Sequence, residues 1–305
     1  MMGPGDDLPS LVARKDHLGV LRHVRAHELR EPKLVVEHGQ SLLGTELSKR
    51  IGDDETRLAA LEQICLASLD LANHDLAEKC MDQLRKSNID KDSVRFRRLL
   101  GRCHEASGDY DGAGKIYDDL LEENPANLVA LQRKYCIARA LQLEPEKVVA
   151  ALNEYLGQNM ADVSGWYEMA QLRMTLCDFK GAAYALEQVV LGSPLDSEMH
   201  QLLAEVYATI GGLDNLILAR KHMSQALELN ASNVRAQFGL VAVANQYLEE
   251  SASAGKKDVD EHEEQVAKEL VKYGASQVLK TYKDHKMLAI VKGVMDDYTD
   301  NLDDP

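Results

Sequence analysis

The sequence predicts an all-α solenoid of helix-turn-helix pairs, and three observations lead to this prediction. Aromatic residues make up only 5% of the 305 residues, whereas β-strands are enriched in aromatic and β-branched residues. Small and large residues recur along the chain with a nearly constant period. Apolar residues recur within each copy at the spacing of one helix face. Because 45% of the residues are hydrophobic, the chain can bury a substantial core.

The repeat is clearest in the middle of the chain. Its small positions are 34, 35 and 34 residues apart, and they are Gly101, Tyr135, Ala170 and Ala204. In one copy Ala113, Tyr117 and Leu120 follow at i, i+4 and i+7, which places them on one helix face. Equivalent faces begin at Ala182 and Ala219. This order and period are typical of the tetratricopeptide repeat, so we predict a tetratricopeptide-repeat superhelical solenoid.

The sequence predicts five segments. Residues 1–10 are expected to be disordered, 11–57 to form N-terminal helices and 58–233 to form the tetratricopeptide repeats. Residues 234–290 are expected to form C-terminal capping helices, and 291–305 an acidic disordered tail. The last prediction rests on the five Asp residues among the final ten.

Two details of this organisation follow from local sequence. The N-terminal segment is predicted to hold two helices, from Leu11 to about Glu28 and from Pro32 to about Lys49, since proline favours the first turn of a helix. Further on, the stretch 211–214 delays Ala219 by three residues relative to the other copies. We therefore expect a longer loop between the two helices of that repeat.

Composition and charge exclude several classes of function. The chain has 35 Lys and Arg against 50 Asp and Glu, a net charge of −15. Nucleic acid and anionic lipid both select for basic residues, so neither is expected as a partner, and no lipid insertion is expected. The longest apolar stretch is far shorter than the roughly 20 residues that span a bilayer. With no secretory signal at the N-terminus, the expected location is cytoplasmic or nuclear.

The five cysteines do not form a recognisable framework. They are odd in number, never occur as CxxC, and are Cys65, Cys80, Cys103, Cys136 and Cys177. Disulfide scaffolds and zinc sites require regular or paired spacing. Each cysteine is therefore interpreted as a reduced residue of the core within an apolar helix.

No catalytic, cofactor-binding or metal-binding residues are predicted. The segment 108–116 resembles a phosphate-binding loop, but Asp109 and Ile116 stand where that loop requires Gly and Ser or Thr. His23 and His27 share a helix face at i, i+4, yet no HExxH accompanies them and the flanking residues are basic. The chain is accordingly predicted not to be an enzyme and to need no cofactor.

A basic stripe is the predicted partner-binding site. Arg95, Arg98 and Arg102 lie at i, i+3 and i+7 on the first helix of a repeat, and Arg133 follows one repeat later. First helices line the concave surface of such solenoids, and arginine is enriched at interfaces. The opposing interpretation is a solvated face whose arginines pair with Asp92 or Glu105.

A further group of residues is more specific than the generic repeat. It consists of the segments 152–156, 178–183, 211–216, 219–221, 225–230 and 235–240 together with Asp162 and Trp166. The lengthened Gly-Gly-Leu-Asp-Asn-Leu stretch at 211–216 is the most distinctive of them. Over about residues 50–245 the chain resembles the family of subunit 2 of the endoplasmic reticulum membrane protein complex.

This resemblance implies a non-catalytic scaffold on the cytosolic face of the endoplasmic reticulum membrane. It would hold cytosolic segments of the membrane-spanning subunits together with a second soluble subunit, and so support insertion of transmembrane proteins. The residues alone indicate only a helical-repeat interaction module.

Two alternatives remain at the level of sequence. A chaperone adaptor would need Lys and Asn at the fifth and ninth positions of its leading repeat, where this chain has Arg98 and Arg102. An enzyme within the unassigned helices would need a convergent catalytic set, which the sequence does not indicate. Identifying the tightest partner separates these alternatives.

Overall fold

A computed structural model describes residues 7–43, 54–87, 89–253, 260–300 and 302. Across those ranges the secondary structure consists of helices and turns, which confirms the all-α prediction. The helices are α1 Leu8–Ala13, α2 His17–Ala26, α3 Pro32–Leu43, α4 Asp54–Asp70, α5 His74–Lys86, α6 Val94–Ala106, α7 Tyr110–Glu123, α8 Leu128–Ala140, α9 Pro145–Gln158, α10 Val163–Thr175, α11 Phe179–Gly192, α12 Ser197–Ile210, α13 Leu213–Leu229, α14 Val234–Ser253, α15 Glu261–Thr281 and α16 Leu288–Asp300.

The chain divides into two compact units, Met1–Leu143 and Glu144–Pro305. The boundary falls inside the predicted repeat segment 58–233, in the copy whose small position is Tyr135. In the first unit the most buried large side chains include Leu21, Leu61, Ile64, Met81, Leu84, Tyr117 and Leu120. In the second they include Leu152, Leu156, Met169, Leu186 and Tyr247.

Polar caps start the repeat helices. The first helices α6, α8, α10 and α12 are preceded by Ser93, Asn127, Asp162 and Asp196, whose side chains accept hydrogen bonds from backbone N–H groups of the first turn. The second helices α5, α7 and α11 begin in the same way at Asn73, Asp109 and Asp178. Each cap satisfies a donor that would otherwise be unpaired at the helix end.

Four repeat turns share a left-handed residue. Their positive φ angles are between 51° and 81°, and the residues are Ala72, Gly108, Gln142 and Cys177. A residue in this conformation ends a helix and reverses the chain within a few positions. The positions recur with the period of the repeat, so local geometry and repeat length agree.

Small residues allow the paired helices to approach. A Cβ placed on Gly101 of α6 would lie 2.7 Å from Cζ of Tyr117 on α7, and Tyr117 is fully buried. In the second unit Ala170 of α10 and Ala182 of α11 are both fully buried. These are the positions at which the repeat pattern predicted close helix crossings.

The termini differ from the sequence predictions. Residues 8–10 were expected to be disordered, but they form the start of α1, where Pro9 suits the first turn and Leu8 packs on the core. Residues 291–300 of the predicted disordered tail lie in α16, because Val291 and Met295 share one face and are buried. The described acidic residues of that segment lie on its exposed face.

Two element boundaries also differ. The stretch predicted as one helix from Leu11 to about Glu28 is α1 and α2, separated at Lys15, whose φ is 55°. The insertion near Gly211 does not lengthen the loop: only Gly211 and Gly212 separate α12 from α13. Instead α13 has 17 residues, against 14 in α11, so the extra residues add a turn of helix.

Candidate partner-binding site

The four predicted arginines lie on two first helices of the unit Met1–Leu143. Arg95, Arg98 and Arg102 project from α6, and Arg133 projects from α8. The side chain of Arg95 is 64% exposed, that of Arg102 36% and that of Arg133 26%. The side chains of the predicted stripe therefore differ in the fraction of their surface that is exposed.

Arg95 and Arg102 join α6 to the preceding first helix, α4. Nε of Arg95 donates to Oε2 of Glu62 at 2.6 Å, and this contact raises the pKa of the Arg95 guanidinium. Nη2 of Arg102 donates to Oδ1 of Asp70 at 3.3 Å. Both pairs are partly exposed, so each contributes about 0–1 kcal/mol to stability.

Arg133 joins α8 to α6 through a more enclosed contact. Its guanidinium makes a two-pronged ion pair with Glu105, with Nε donating to Oε1 at 2.9 Å. The hydroxyl of Tyr117 also donates to Oε1 of Glu105, at 2.6 Å. Burial and the adjacent carboxylate raise the pKa of Tyr117, so it remains a donor. The Glu105 side chain is only 9% exposed.

Arg98 has a different role from its neighbours. Its Nη2 donates to Oδ1 of Asn127 at 2.6 Å. Asn127 is the buried N-cap of α8, and the same Oδ1 accepts from the backbone N–H of Ala130 at 3.3 Å. Arg98 therefore positions the start of the next first helix.

These contacts form an inter-repeat ladder, which we define as the side chains of Arg95, Arg98, Arg102 and Arg133 with Glu62, Asp70, Glu105 and Asn127. Three carboxylates thus face four guanidinium groups. A guanidinium has five N–H donors and the bonds above use one or two of them, so the ladder can also bind carboxylates or carbonyl groups of a partner chain.

Sequence reasoning missed two of the three carboxylate partners in the ladder. It considered Glu105 and Asp92 as partners, but not Glu62 or Asp70. The acidic partners precede their arginines by 33, 32 and 28 residues, which is close to one repeat. Searching for opposite charges one repeat apart would have found them.

The unit Glu144–Pro305 links its first helices with a larger share of neutral groups. On α12, Oε1 of Gln201 accepts from Asn233, the residue before α14, at 2.8 Å. Glu205 of α12 pairs with Arg235 of α14 through contacts of 2.6 and 2.7 Å. Glu205 with Arg235 is therefore an ion pair between two first helices, like the ion pairs of the ladder.

The other sequence candidates have structural roles. Within 108–116, Asp109 caps α7 by accepting from the backbone N–H of Gly112 at 2.9 Å, and Ala113 is fully buried. The rings of His23 and His27 stack at 4.1 Å, and Nδ1 of His27 contacts the carbonyl oxygen of His23 at 3.0 Å. Among the described residues, no group of three or more His, Cys, Asp or Glu side chains is arranged to hold a metal ion.

The cysteines are free, but they are not all core residues. Cys65 and Cys80 are buried, Cys103 and Cys136 are half-buried, and Cys177 is exposed. The prediction that each lies in a core helix is thus wrong for Cys177, which occupies the turn after α10 with a φ of 58°. The missed signal was its position, one repeat period after the turn at Gln142 and two after the turn at Gly108.

None of the described helices is long and apolar enough to cross a bilayer. This finding concerns only the ranges that the structure describes.

Comparison with known proteins identifies the family. A sequence model described as the EMC2 TPR-like repeat domain matches residues 81–227. Over 262 residues the chain is 37% identical to ER membrane protein complex subunit 2-A of Xenopus laevis, covering 85% of this chain and 83% of that protein. It is 30% identical to ER membrane protein complex subunit 2 of Dictyostelium discoideum, over 69% of this chain and 64% of that protein.

One solved structure is similar to this chain at low sequence identity. The C-terminal part of a TPR repeat-containing protein from Cytophaga hutchinsonii is 13% identical, with a TM-score of 0.49 over 93% of this chain and 97% of that one. The match to the TPR-like domain confirms the predicted repeat fold. With more than a third of the 262 aligned residues identical to the Xenopus protein, over most of both lengths, the chain belongs to the family of ER membrane protein complex subunit 2.

Proposed function

We propose that this chain is a non-catalytic scaffold subunit of the endoplasmic reticulum membrane protein complex. It is peripheral on the cytosolic face of the membrane and holds cytosolic segments of membrane-spanning subunits together with a second soluble subunit. By doing so it supports insertion of transmembrane proteins, while the chemistry of insertion takes place elsewhere in the complex.

The similarity to the Xenopus protein carries this proposal, since it extends over 262 residues and both units. The architecture supports the same function. A stack of helix pairs has a large surface relative to its volume and uses it to contact partners. The name of the relatives supplies the complex, and the other subunits of that complex are the proposed partners.

Within this proposal the inter-repeat ladder is the partner-binding surface of the first unit. Arg95 and Arg102 are its contact residues, because they are its more exposed arginines and their carboxylate partners are weakly held. Arg98 and Arg133 contact the same segment from more enclosed positions and keep α6 and α8 in register. A partner carboxylate can replace Glu62 or Asp70 without leaving a buried charge unpaired.

Copurification tests this surface. Tagged chain carrying Arg95→Glu with Arg102→Glu should recover at least about tenfold less of the membrane-spanning subunits from detergent-solubilised membranes, because like charges then face each other across the interface. The matched control is Lys79→Glu with Lys115→Glu, which reverses two exposed charges on α5 and α7, the second helices that follow α4 and α6. The control should recover the unmodified amount.

Equal recovery by the two double variants would remove the ladder from the interface. Recovery of a cytosolic chaperone in place of membrane-spanning subunits, by the unmodified chain, would overturn the proposed function itself. A melting curve for each variant separates lost binding from lost folding.

The membrane location has its own test. A chain with net charge −15 is repelled by an anionic leaflet, so the purified chain should stay at the bottom of a gradient when protein-free vesicles containing phosphatidylserine float. In cells it should pellet with microsomes and be released at alkaline pH. Flotation with the bare vesicles, or absence from the microsomal fraction, would contradict recruitment by protein partners.

A further inference from the structure

Three cysteines of the first unit lie on three consecutive helices. Cys65 is on α4, Cys80 on α5 and Cys103 on α6, and all three are free thiols. Sγ of Cys65 lies 3.9 Å from Sγ of Cys103, although 38 residues separate them in the chain. The repeat fold thus brings two distant thiols into direct contact.

Only one member of this pair is accessible to a small reagent. Cys103 lines a pocket of about 250 Å³, whose polar side chains include His74, Glu78, Arg85 and His104. Cys65 is fully buried behind it, with 0% of its surface exposed. A reagent entering this pocket therefore meets Cys103 first.

The surroundings of the two thiols differ in charge. The hydrogen bond between the two thiols lowers the pKa of Cys103, and the guanidinium groups of Arg85 and Arg102 act in the same direction, while burial only partly opposes them. The same hydrogen bond, together with burial, raises the pKa of Cys65. Since the thiolate is the reactive form of cysteine, Cys103 is the nucleophile that reacts first and Cys65 is the thiol that reacts second.

We propose that Cys103 and Cys65 form a peroxide-reactive dithiol, in which Cys103 is oxidised first and Cys65 resolves it to a disulfide. This proposal goes beyond the scaffold function and does not depend on it.

The reaction balances with hydrogen peroxide as the oxidant. The Cys103 thiolate attacks one peroxide oxygen, the O–O bond breaks, and the departing hydroxide takes a proton to leave as water, giving a sulfenic acid. Cys65 then loses its proton and attacks Sγ of Cys103, and the sulfenic oxygen leaves as a second water. Two thiols are oxidised by two electrons in total, and one peroxide is reduced to two waters. An external thiol reverses the disulfide by exchange.

The bond would connect the two helices that carry part of the ladder. Forming it requires the sulfurs to approach from 3.9 Å to bonding distance, which draws α4 and α6 together. The pairs Glu62–Arg95 and Asp70–Arg102 join these same helices. Oxidation in this pocket would thereby alter the spacing across the inter-repeat ladder.

Peptide mapping of the full chain can assign the disulfide without ambiguity. Trypsin cleavage places the five cysteines in separate peptides, 58–79, 80–85, 103–115, 135–139 and 174–180. After treatment with a small excess of hydrogen peroxide and alkylation of the remaining thiols, we expect peptides 58–79 and 103–115 to be joined. Reductant should separate them.

Variants identify the role of each cysteine. Cys65→Ala should stop disulfide formation and leave a sulfenic acid on Cys103 that a dimedone probe labels. Cys103→Ser should abolish both products and leave Cys65 reduced. The control variants Cys136→Ser and Cys177→Ser should retain the disulfide at its normal rate. Circular dichroism confirms that each variant is folded.

A fifth variant tests activation rather than folding. Arg85→Gln should move the pH profile for alkylation of Cys103 to higher pH, because one nearby positive charge is lost. The proposal is overturned if Cys103 stays reduced while the exposed Cys177 is fully oxidised, or if Cys103 pairs with Cys80. It is also overturned if dimedone labels Cys65 in the Cys103→Ser variant as fast as it labels Cys103 in Cys65→Ala.

Discussion

The two units use the same helix-pair geometry but connect their helices with different chemistry. In Met1–Leu143 the ladder joins successive first helices through three ion pairs, two of them partly exposed and the third, Arg133 with Glu105, more enclosed. In Glu144–Pro305 the first helices are joined by an amide pair, Gln201 with Asn233, and by one exposed ion pair, Glu205 with Arg235. A buried arginine, Arg220, instead connects the second helix α13 to α15. The repeat therefore determines which helices are in contact, and the side chains at each contact determine whether its charges are exposed or buried. Exposed charges remain available to partners, and a buried charge serves stability.

The largest expected difference concerns Arg220. This side chain is 5% exposed, pairs with the carboxylate of Glu263, and donates from Nη1 to the Glu263 carbonyl oxygen at 3.0 Å. Its guanidinium lies 5.3 Å from the ring centre of Tyr247. Because Arg220→Ala removes a buried guanidinium and leaves the Glu263 carboxylate, whose side chain is 24% exposed, without its partner, we expect a loss of about 3 kcal/mol in the free energy of unfolding.

Arg95→Ala is the counterpart in the first unit. It removes a pair whose arginine is 64% exposed, so the expected loss is at most about 1 kcal/mol. Urea unfolding of both variants measures the difference. Equal losses would show that the contrast between the units is not energetic.

The second effect concerns the close crossing of α6 and α7. Gly101→Ala places a methyl group 2.7 Å from Cζ of the buried Tyr117, so we expect a destabilisation of about 1–3 kcal/mol by overpacking. Gly114→Ala on α7 is the matched control, because its Cβ would meet nothing within 4 Å. That change should stabilise the chain by up to about 1 kcal/mol through helix propensity. A stabilising Gly101→Ala would show that Tyr117 moves aside freely.

The third effect compares how each unit holds the cap of a first helix. Arg98 donates to the cap Asn127 at 2.6 Å, and the hydroxyl of Tyr155 donates to the cap Asp162 at 2.8 Å. We expect Arg98→Ala to cost about 1–2 kcal/mol and Tyr155→Phe about 0.5–1.5 kcal/mol. Thermal unfolding of both variants provides the comparison. If Arg98→Ala has no effect on stability, Arg98 is free to act only as a partner-binding residue.

Sequence periodicity predicted the fold because helix pairs place small and large residues at fixed separations. It located the crossing of Gly101 with the face of Tyr117, and the helix ends before Pro125 and Pro194. It did not locate the carboxylates of the ladder or the contact of Cys65 with Cys103. These contacts depend on how side chains on neighbouring repeats point toward each other, which a one-dimensional pattern does not record. The insertion near Gly211 was placed in the loop because residue spacing cannot distinguish a longer loop from an extra helical turn.

The smallest expected effect concerns a feature that both units share, a pair of histidines in contact. Each contains two histidines with facing Nδ1 atoms, 2.9 Å apart for His17 and His38 and 3.0 Å for His200 and His222. Nε2 of His200 lies 3.1 Å from the carbonyl oxygen of Pro194, which can only accept, so this nitrogen carries the proton. His222 must then donate from Nδ1 to His200, and protonating His200 would set two N–H groups against each other.

Acid should therefore weaken both units. Burial and the neighbouring histidine lower the pKa values of His38 and His222 below 6.5, and nearby Glu37 and Glu187 only partly oppose this. As pH falls below about 6.5, the unfolded chain takes up protons first, so stability present above that pH is lost. Urea midpoints at pH 7.5 and 5.5 should differ less in His38→Gln and in His222→Gln than in the unmodified chain. The exposed control His262→Gln should keep the full difference. If only one of the two core variants reduces the change of the urea midpoint with pH, acid sensitivity belongs to that unit alone. The two histidine pairs would then be alike in geometry but not in their effect on stability.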